Sequence, residues 1–518
     1  HQPVLVHVEE LTQPQGHSTS GSHERYKSKD RLEWAAEYDC IFQMEKFLIL
    51  EGAATKDELD DIRKEAKKEV RSHQKEAWRQ YRLDIDGDVN SAVALLRGLE
   101  GDNSERAKHL EKLMEPGRAE VFTAVRRALI DSSGSDSTGR TALSNWLSAA
   151  KAISKEKYNN HLYSDDSDSA LNVPEIPAVF SDEQVDGRLV LQKNFQEIFS
   201  RYPNVLTFGE DVGGIGGVNQ VMEGMQEQFG EVRVSDTGIR ECTIIGSGIG
   251  MALRGLRPIA EIQYLDYLYY ALQILRDDLA TVRYRTAGGQ KAPLIVRTRG
   301  HRLEGIWHSG SPMGAIISSL RGMHVCVPRN MVQAAGMYNT LLRAEEPAVV
   351  IECLNGYRKK EFMPSNCGAF TVPLGKPEIT RSGSDITILS YGSTFNLCTN
   401  AADRLSELGI EVELVDAQTL LPFDINGVTA ESVSRTNRLL IVDEDVPGGA
   451  SAYLLDEVLN RQGAWMHLDS QPRTLTAHPH LPAYTSDGDY FSKPSVDDIV
   501  ESAYSYMNET DPSRFPVI

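Results

Sequence analysis

The sequence predicts an α/β protein: two consecutive parallel-sheet domains preceded by the helical tail of a third. Three observations carry that expectation. From about residue 187, short apolar stretches of strand length alternate with helical stretches. A second set of the same alternation begins near Leu374, and residues 1–82 end in a long, charged helical pattern. Short buried strands alternating with helices imply a parallel sheet covered on both faces. At roughly 150 residues per domain, 518 residues suggest about three domains, each able to bury a core.

Residues 1–82 read as the end of an α/β domain. Val4–Val8 has the pattern of a buried strand, and a chain that opens on such a strand reads as a fragment of a longer one. A helix is expected from Thr55, where Thr55 and Glu58 have the spacing of a capping box. Leu59, Ile62, Ala66, Val70, Ala77 and Tyr81 then form one apolar stripe, expected to pack on a core. Residues 83–186 are polar, with helical stretches near 104–115, 117–131 and 142–156 broken by SSGSDSTG and YSDDSDSA, and read as a helical connector. Residues 187–373 carry the strands in NVLTFGEDV, VRVSD, PIAEIQ, LIVRT, MHVCVP and AVVIEC, with helices over 266–285 and 331–344 between them. Residues 374–518 follow with a βαβ unit from Ile386 to Val415 and a further strand in RLLIVDED.

Composition narrows the function. With 54 Lys+Arg against 74 Asp+Glu, the net charge of −20 argues against a nucleic-acid or anionic-lipid surface. No apolar run approaches the 18 or so residues of a membrane span. The six scattered cysteines include no CxxC and no metal spacing, which suits a reducing cytoplasmic setting.

In open parallel sheets, ligands bind beyond the carboxyl ends of the strands. Three loops qualify: GEDVGGIGG, SDTGIRECTIIGSGIG and TRGHRLEGIWHSGSP. Gly246, Gly248 and Gly250 superficially resemble a dinucleotide fingerprint, but Met251 stands at its last glycine, and a helix start packed tightly on a strand is the better reading. Glu241 heads an apolar helix; it is either an acid favoured by the helix dipole or a proton-sharing carboxyl, since apolar burial favours the protonated form. His308 is a loop histidine or a proton shuttle. Tyr264, Tyr267, Tyr269 and Tyr270 read first as core and interface aromatics. Asp84, Asp86 and Asp88 hint at a calcium loop, but Val89 and Leu95 stand where such a loop needs glycine and glutamate.

FGEDVGGIGGV, RVSDTGIRE, AEIQYLDY, VRYRT and His308 before SGSP together resemble the β part of thiamine-dependent 2-oxo acid dehydrogenases. The likeness runs from about 190 to 505 and includes GSDITILSYG and VELVDAQTLLPFD. Through PQGHSTSGSHERYKSK, residues 1–80 resemble the C-terminal end of the α subunit, so the whole looks like a fused α–β form. The resemblance implies a transketolase-like pyrimidine-binding domain at 187–373, a transketolase C-terminal domain at 374–518, and the end of an α-type diphosphate-binding domain at 1–82. It also implies thiamine diphosphate as cofactor, with a 2-oxo acid, pyruvate or branched-chain, as substrate. Glu241 matches the carboxylate at the aminopyrimidine ring, and Tyr267 the aromatic packed on it. His308 matches the histidine that assists acylation of a lipoyl group, and His17 the α-side loop histidine near the diphosphate and substrate. The implied partner is a lipoyl-bearing acyltransferase and the implied assembly a homodimer.

The family pattern is not followed throughout. Gly21 replaces an acidic residue, Lys27 replaces an arginine, and Ala344 stands where relatives place a potassium-binding aspartate. No Gly-Asp-Gly motif with its later asparagine occurs, so the Mg2+ ligands are expected in a preceding N-terminal part. Two other functions share some of these features: a transketolase-type carbon–carbon transferase and a non-catalytic docking remnant.

Overall fold

The computed structural model describes residues 4–13, 23–99, 103–159, 161–300, 308 and 310–517. The chain divides into two units, residues 1–157 and 158–518.

The first unit is helical: α1 (Lys29–Glu37), α2 (Cys40–Leu50), α3 (Lys56–Arg97), α4 (Asn103–Lys112), α5 (Arg118–Asp131) and α6 (Thr138–Asn159). Thr55 starts α3 as expected, its hydroxyl accepting from the Glu58 amide while Glu58 accepts from the Thr55 amide at 2.7 Å. The stripe behind it is different. Ile62, Val70 and Tyr81 are exposed, and the core forms further along α3. There Ile85, Val89, Ala92, Val93 and Leu96 pack on Leu110, Val121, Val125 and Leu143. The expectation fails because α4, α5 and α6 reach only the second half of α3, so periodicity located the stripe but not its partner. Val4–Val8, read as a strand whose partners would precede it, is exposed and pairs with no described strand. The aspartates of DIDGDVN lie within α3 and are committed to cations: Asp84 to Lys157, Asp86 to Arg82 and Asp88 to Arg118.

The second unit carries β1 (Phe180–Asp186), β2 (Val205–Gly209), β3 (Val234–Asp236), β4 (Arg257–Glu261), β5 (Ile295–Gly300), β6 (His324–Cys326), β7 (Ala348–Cys353), β8 (Lys360–Pro364), β9 (Glu378–Arg381), β10 (Ile386–Ser390), β11 (Val412–Asp416), β12 (Thr419–Leu421), β13 (Leu439–Val442) and β14 (Arg473–Leu475). β1 and β8 form an antiparallel ribbon. One sheet has the order β12-β6-β7-β5-β4-β2-β3 and a second β14-β13-β10-β11-β9. Both are parallel except at one edge, where β12 runs antiparallel to β6 and β9 antiparallel to β11. The first sheet is therefore closed by a strand from the VELVDAQTLLPFD stretch, which adjacency in sequence had assigned to the second.

Both faces of the first sheet are buried. Phe208, Ala260, Val296 and Val349 point into one apolar core, and their neighbours Val205, Ile259, Ile295 and Val350 into another. That alternation is why these strands read as continuous apolar runs. The stretch read as one helix over 266–285 is a succession of tighter and wider turns, from a 3₁₀ segment at Leu265–Ala271 to a short helix at Val282–Arg285. The helix expected from 331 runs Met331–Leu341. Among the described residues, no helix is long and apolar enough to cross a membrane.

Candidate active site

The carboxyl ends of β3, β2, β4 and β5 lie side by side and deliver the chemistry-bearing residues to one edge. β2 leads into Glu210 and the glycine-rich loop, and β3 into Asp236 and the turn before Glu241. β4 ends at Glu261, ahead of Tyr264 and Tyr267, and β5 carries Arg297 and Arg299.

The glycine-rich loop is held by Asp236, whose carboxylate accepts from the amides of Gly213 at 2.6 Å and Gly214 at 3.2 Å. A Cβ at Gly216, where φ is +77°, would lie 2.2 Å from the Glu223 nitrogen. Only glycine fits that turn. Gly246, Gly248 and Gly250 are inside the helix Glu241–Leu253, so they form no phosphate loop. Gly248 instead lets the helix settle on Leu294, 2.8 Å from where a Cβ would stand.

Glu241 is the first residue of that helix and is only 6% exposed. Its carboxylate makes no hydrogen bond or ion pair with any described residue. Glu210 lies close enough for the two charges to interact. Burial, and then the negative charges of Glu241, Asp211 and Glu261, push the Glu210 carboxyl above the usual carboxylate range. Tyr267 also feels the charges of Glu210 and Glu241. Its hydroxyl is 2.9 Å from His308 Nε2, and the Tyr264 ring lies over the same imidazole with centroids 4.2 Å apart. Glu241, Tyr267 and His308 are thus brought to one strand edge. His17 and Gly21 lie outside the described residues.

Beneath these groups sits a fully buried ionic network. Arg297 donates two hydrogen bonds to Glu352, at 2.7 and 2.9 Å, and also pairs with Glu261. Arg299 donates to Glu261 at 2.7 Å and to the Gln263 carbonyl at 3.1 Å. Tyr338 donates to Glu352 at 2.7 Å and Tyr357 donates to it as well. Burial opposes ionisation of Glu352, but Arg297 outweighs it and holds the carboxyl below its ordinary range. Sequence reasoning missed this network and Glu210. The available signal was charge inside apolar strands, the Glu in PIAEIQ and AVVIEC and the Arg in LIVRT, which buried strands tolerate only when paired.

At the loop where relatives are expected to bind potassium, the Leu341 carbonyl accepts from Arg257 at 3.0 Å, and so does the Ala344 carbonyl. Arg257 also pairs with Glu345 at 2.8 Å. A protein cation stands at that loop.

The transketolase pyrimidine-binding domain family matches residues 183–359, and the transketolase C-terminal domain family matches 375–492. The dehydrogenase E1 component family matches 1–85. The chain is 33% identical over 290 residues to the 2-oxoisovalerate dehydrogenase subunit beta of Bacillus subtilis, covering 56% of this chain and 87% of that one. The chain belongs to the E1 family of 2-oxo acid dehydrogenases. Within the family, it is also 33% identical over 306 residues to the pyruvate dehydrogenase E1 component subunit beta of B. subtilis, covering 58% of this chain and 91% of that one. The Staphylococcus epidermidis counterpart is 32% identical over 306 residues, with 58% and 92% coverage. An E1 segment followed by two β-type domains in one chain is consistent with a fused α–β form of this family.

Proposed function

We propose that this E1 chain catalyses the thiamine diphosphate-dependent oxidative decarboxylation of a 2-oxo acid and passes the acyl group to a lipoyl group on an acyltransferase partner. The observation that carries this reading is Glu241: a largely buried carboxylate at a strand edge with no partner among the described residues. Burying such a group costs free energy unless something else hydrogen-bonds it. A protonatable ring nitrogen supplies that bond, so the residues fit the pyrimidine end of the cofactor. The metal–diphosphate end is different, because no group of three His, Cys, Asp or Glu able to hold a metal ion occurs among the described residues.

When bound, thiamine diphosphate supplies the electron sink that lets carbon dioxide leave the 2-oxo acid. Glu241 holds or shares a proton at the ring nitrogen, and Glu210 beside it raises the cost of a second negative charge there. Tyr264 and Tyr267 present aromatic faces at the same edge. His308, steadied by Tyr267, moves the proton that lipoyl acylation requires. Ile215, Val218 and Ile239 expose apolar side chains on the loops around Glu241, and a second copy of the chain in a dimer would cover them.

The test is Glu241→Gln in the full chain. Deuterium exchange at the thiazolium carbon of added thiamine diphosphate should fall at least about 100-fold. Exchange at the wild-type rate would sink the reading. The kcat/KM ratio for 2-oxoisovalerate against pyruvate assigns the substrate, and turnover of a ketose phosphate in their place would make the chain a carbon–carbon transferase.

A further inference from the structure

His308 is held by more than its ring contacts. Two residues on, the Gly310 amide donates to Asp266 Oδ2 at 3.1 Å. Four residues further, the Gly314 amide donates to Asp445 Oδ2 at 2.7 Å. Asp266 lies in the 3₁₀ segment Leu265–Ala271, between Leu265 and the Tyr267 that touches His308. Asp445 follows β13 in the second sheet. One turn therefore steadies the imidazole through Tyr267 while its neighbour Asp266 takes the backbone just beyond. A carboxylate rooted in the other sheet then takes the same strand of backbone four residues later.

The surrounding glycines are shaped to these two carboxylates. A Cβ on Gly310 would stand 1.9 Å from Asp266 Oδ1, and one on Gly449 would stand 2.0 Å from Asp445 Oδ2. A Cβ on Gly314 would stand 3.0 Å from the Gly449 Cα. Both carboxyls, with Glu444, line a cavity of about 180 Å³. Glu444 there is paired with Lys493 at 3.0 Å, and neither Asp266 nor Asp445 has an ion pair of its own among the described residues. Burial pushes both carboxyls up, and the Gly310 and Gly314 amides oppose that shift. Asp445 is buried and Asp266 half-buried, and a desolvated carboxylate whose bonds are to backbone amides is an expensive way to hold a loop, while a charge-assisted bond is a strong one.

We infer that Asp266 and Asp445 are positioning residues, a two-point clamp that fixes the backbone from Gly310 to Gly314 and so sets where the His308 imidazole stands for acyl transfer. The acyl-transfer part of this inference rests on the function proposed for His308. The clamp itself does not.

The experiment uses the full chain loaded with thiamine diphosphate and carries two readouts. One is the ratio of lipoyl-domain acylation to decarboxylation measured with an artificial electron acceptor. The other is the His308 resonance and its titration in histidine-labelled protein, assigned by its loss in His308→Gln. Asp266→Ala should lower the ratio about tenfold, since misplacing a reacting group by 1 Å costs up to about 100-fold. It should also shift the His308 resonance. Asp266→Asn keeps an oxygen for the Gly310 amide and should restore most of both, and Asp445→Ala should move both in the same direction to a smaller degree. If Asp266→Ala does not fold, Asp266→Ser, which cannot reach that amide, takes its place. An unchanged ratio with an unshifted resonance overturns the clamp, and so does a lowered ratio that Asp266→Asn fails to restore. If His308→Gln itself leaves the ratio at the wild-type value, the role proposed for His308 falls. The clamp is then decided by the resonance alone, a shift upholding it and no shift overturning it.

Discussion

Two sets of carboxylates occupy the same edge of the seven-stranded sheet under opposite conditions. Glu261 and Glu352 are fully buried and held by Arg297, Arg299, Tyr338 and Tyr357, so every oxygen faces a donor. Glu210 and Glu241, in the loops beyond the strand ends, have no cation paired with them among the described residues and repel each other. Glu352 and Glu210, the same chemical group, are thus driven to opposite proton affinities by what stands next to them. The paired set is scaffold. On the function proposed above, the unpaired set is the one a ligand would meet.

Breaking the paired set should produce the largest effect. Arg297→Met leaves Glu261 and Glu352 buried with fewer donors, and removing one partner of a buried ion pair costs about 3–5 kcal/mol. Denaturant unfolding measures it. A loss below about 1 kcal/mol would mean that water reaches the network. By contrast, Glu241→Gln leaves no described partner stranded, so its melting temperature should stay within a few degrees of wild type while proton exchange on the cofactor collapses. A large drop in melting temperature would place Glu241 with the scaffold. Gly248→Ala falls between the two. It brings a methyl 2.8 Å from Leu294 Cδ1, and such overpacking costs about 1–3 kcal/mol, to be read in the same unfolding experiment.

The comparison also shows what a sequence can display. The strands from β2 to β7 were legible because apolar runs of that length between helices have one common solution. The placement of Glu241 and His308 on loops beyond strand ends was legible through the motifs around them. The edge strand β12 was not, because strand order in a sheet is set by where the chain crosses back and leaves no periodic trace. The failure at Val70 and Tyr81 has a similar cause, since an apolar stripe reports that a face could be buried and not what arrives to bury it. Asp266 and Asp445 escaped notice for a third reason. Their partners are backbone amides, which every residue except proline carries, so the pairing has no signature in side-chain composition.

The smallest expected effect is in pH dependence, because Glu352 and Glu210 must respond with opposite sign. Glu352 is ionised more readily in the folded chain than in the unfolded one. Its contribution is therefore present above the unfolded carboxylate pKa and is lost as pH falls through the folded value. Glu210 is the reverse. Its folded pKa is raised, chiefly by burial and then by Glu241, so its contribution is present below the unfolded pKa and is lost as pH rises through the folded value. Glu210→Gln removes that loss and should make the chain more stable than wild type near neutrality. The gain should shrink as pH falls toward the unfolded carboxylate range, near 4.3, where wild-type Glu210 is itself protonated. Unfolding free energies of both proteins at several pH values between about 4 and 8 test this, 4 being close to the unfolded glutamate value. A gain that grows toward acid would show that Glu210 is held ionised by a donor, and the division between a paired scaffold and an unpaired site would then have to be redrawn around it.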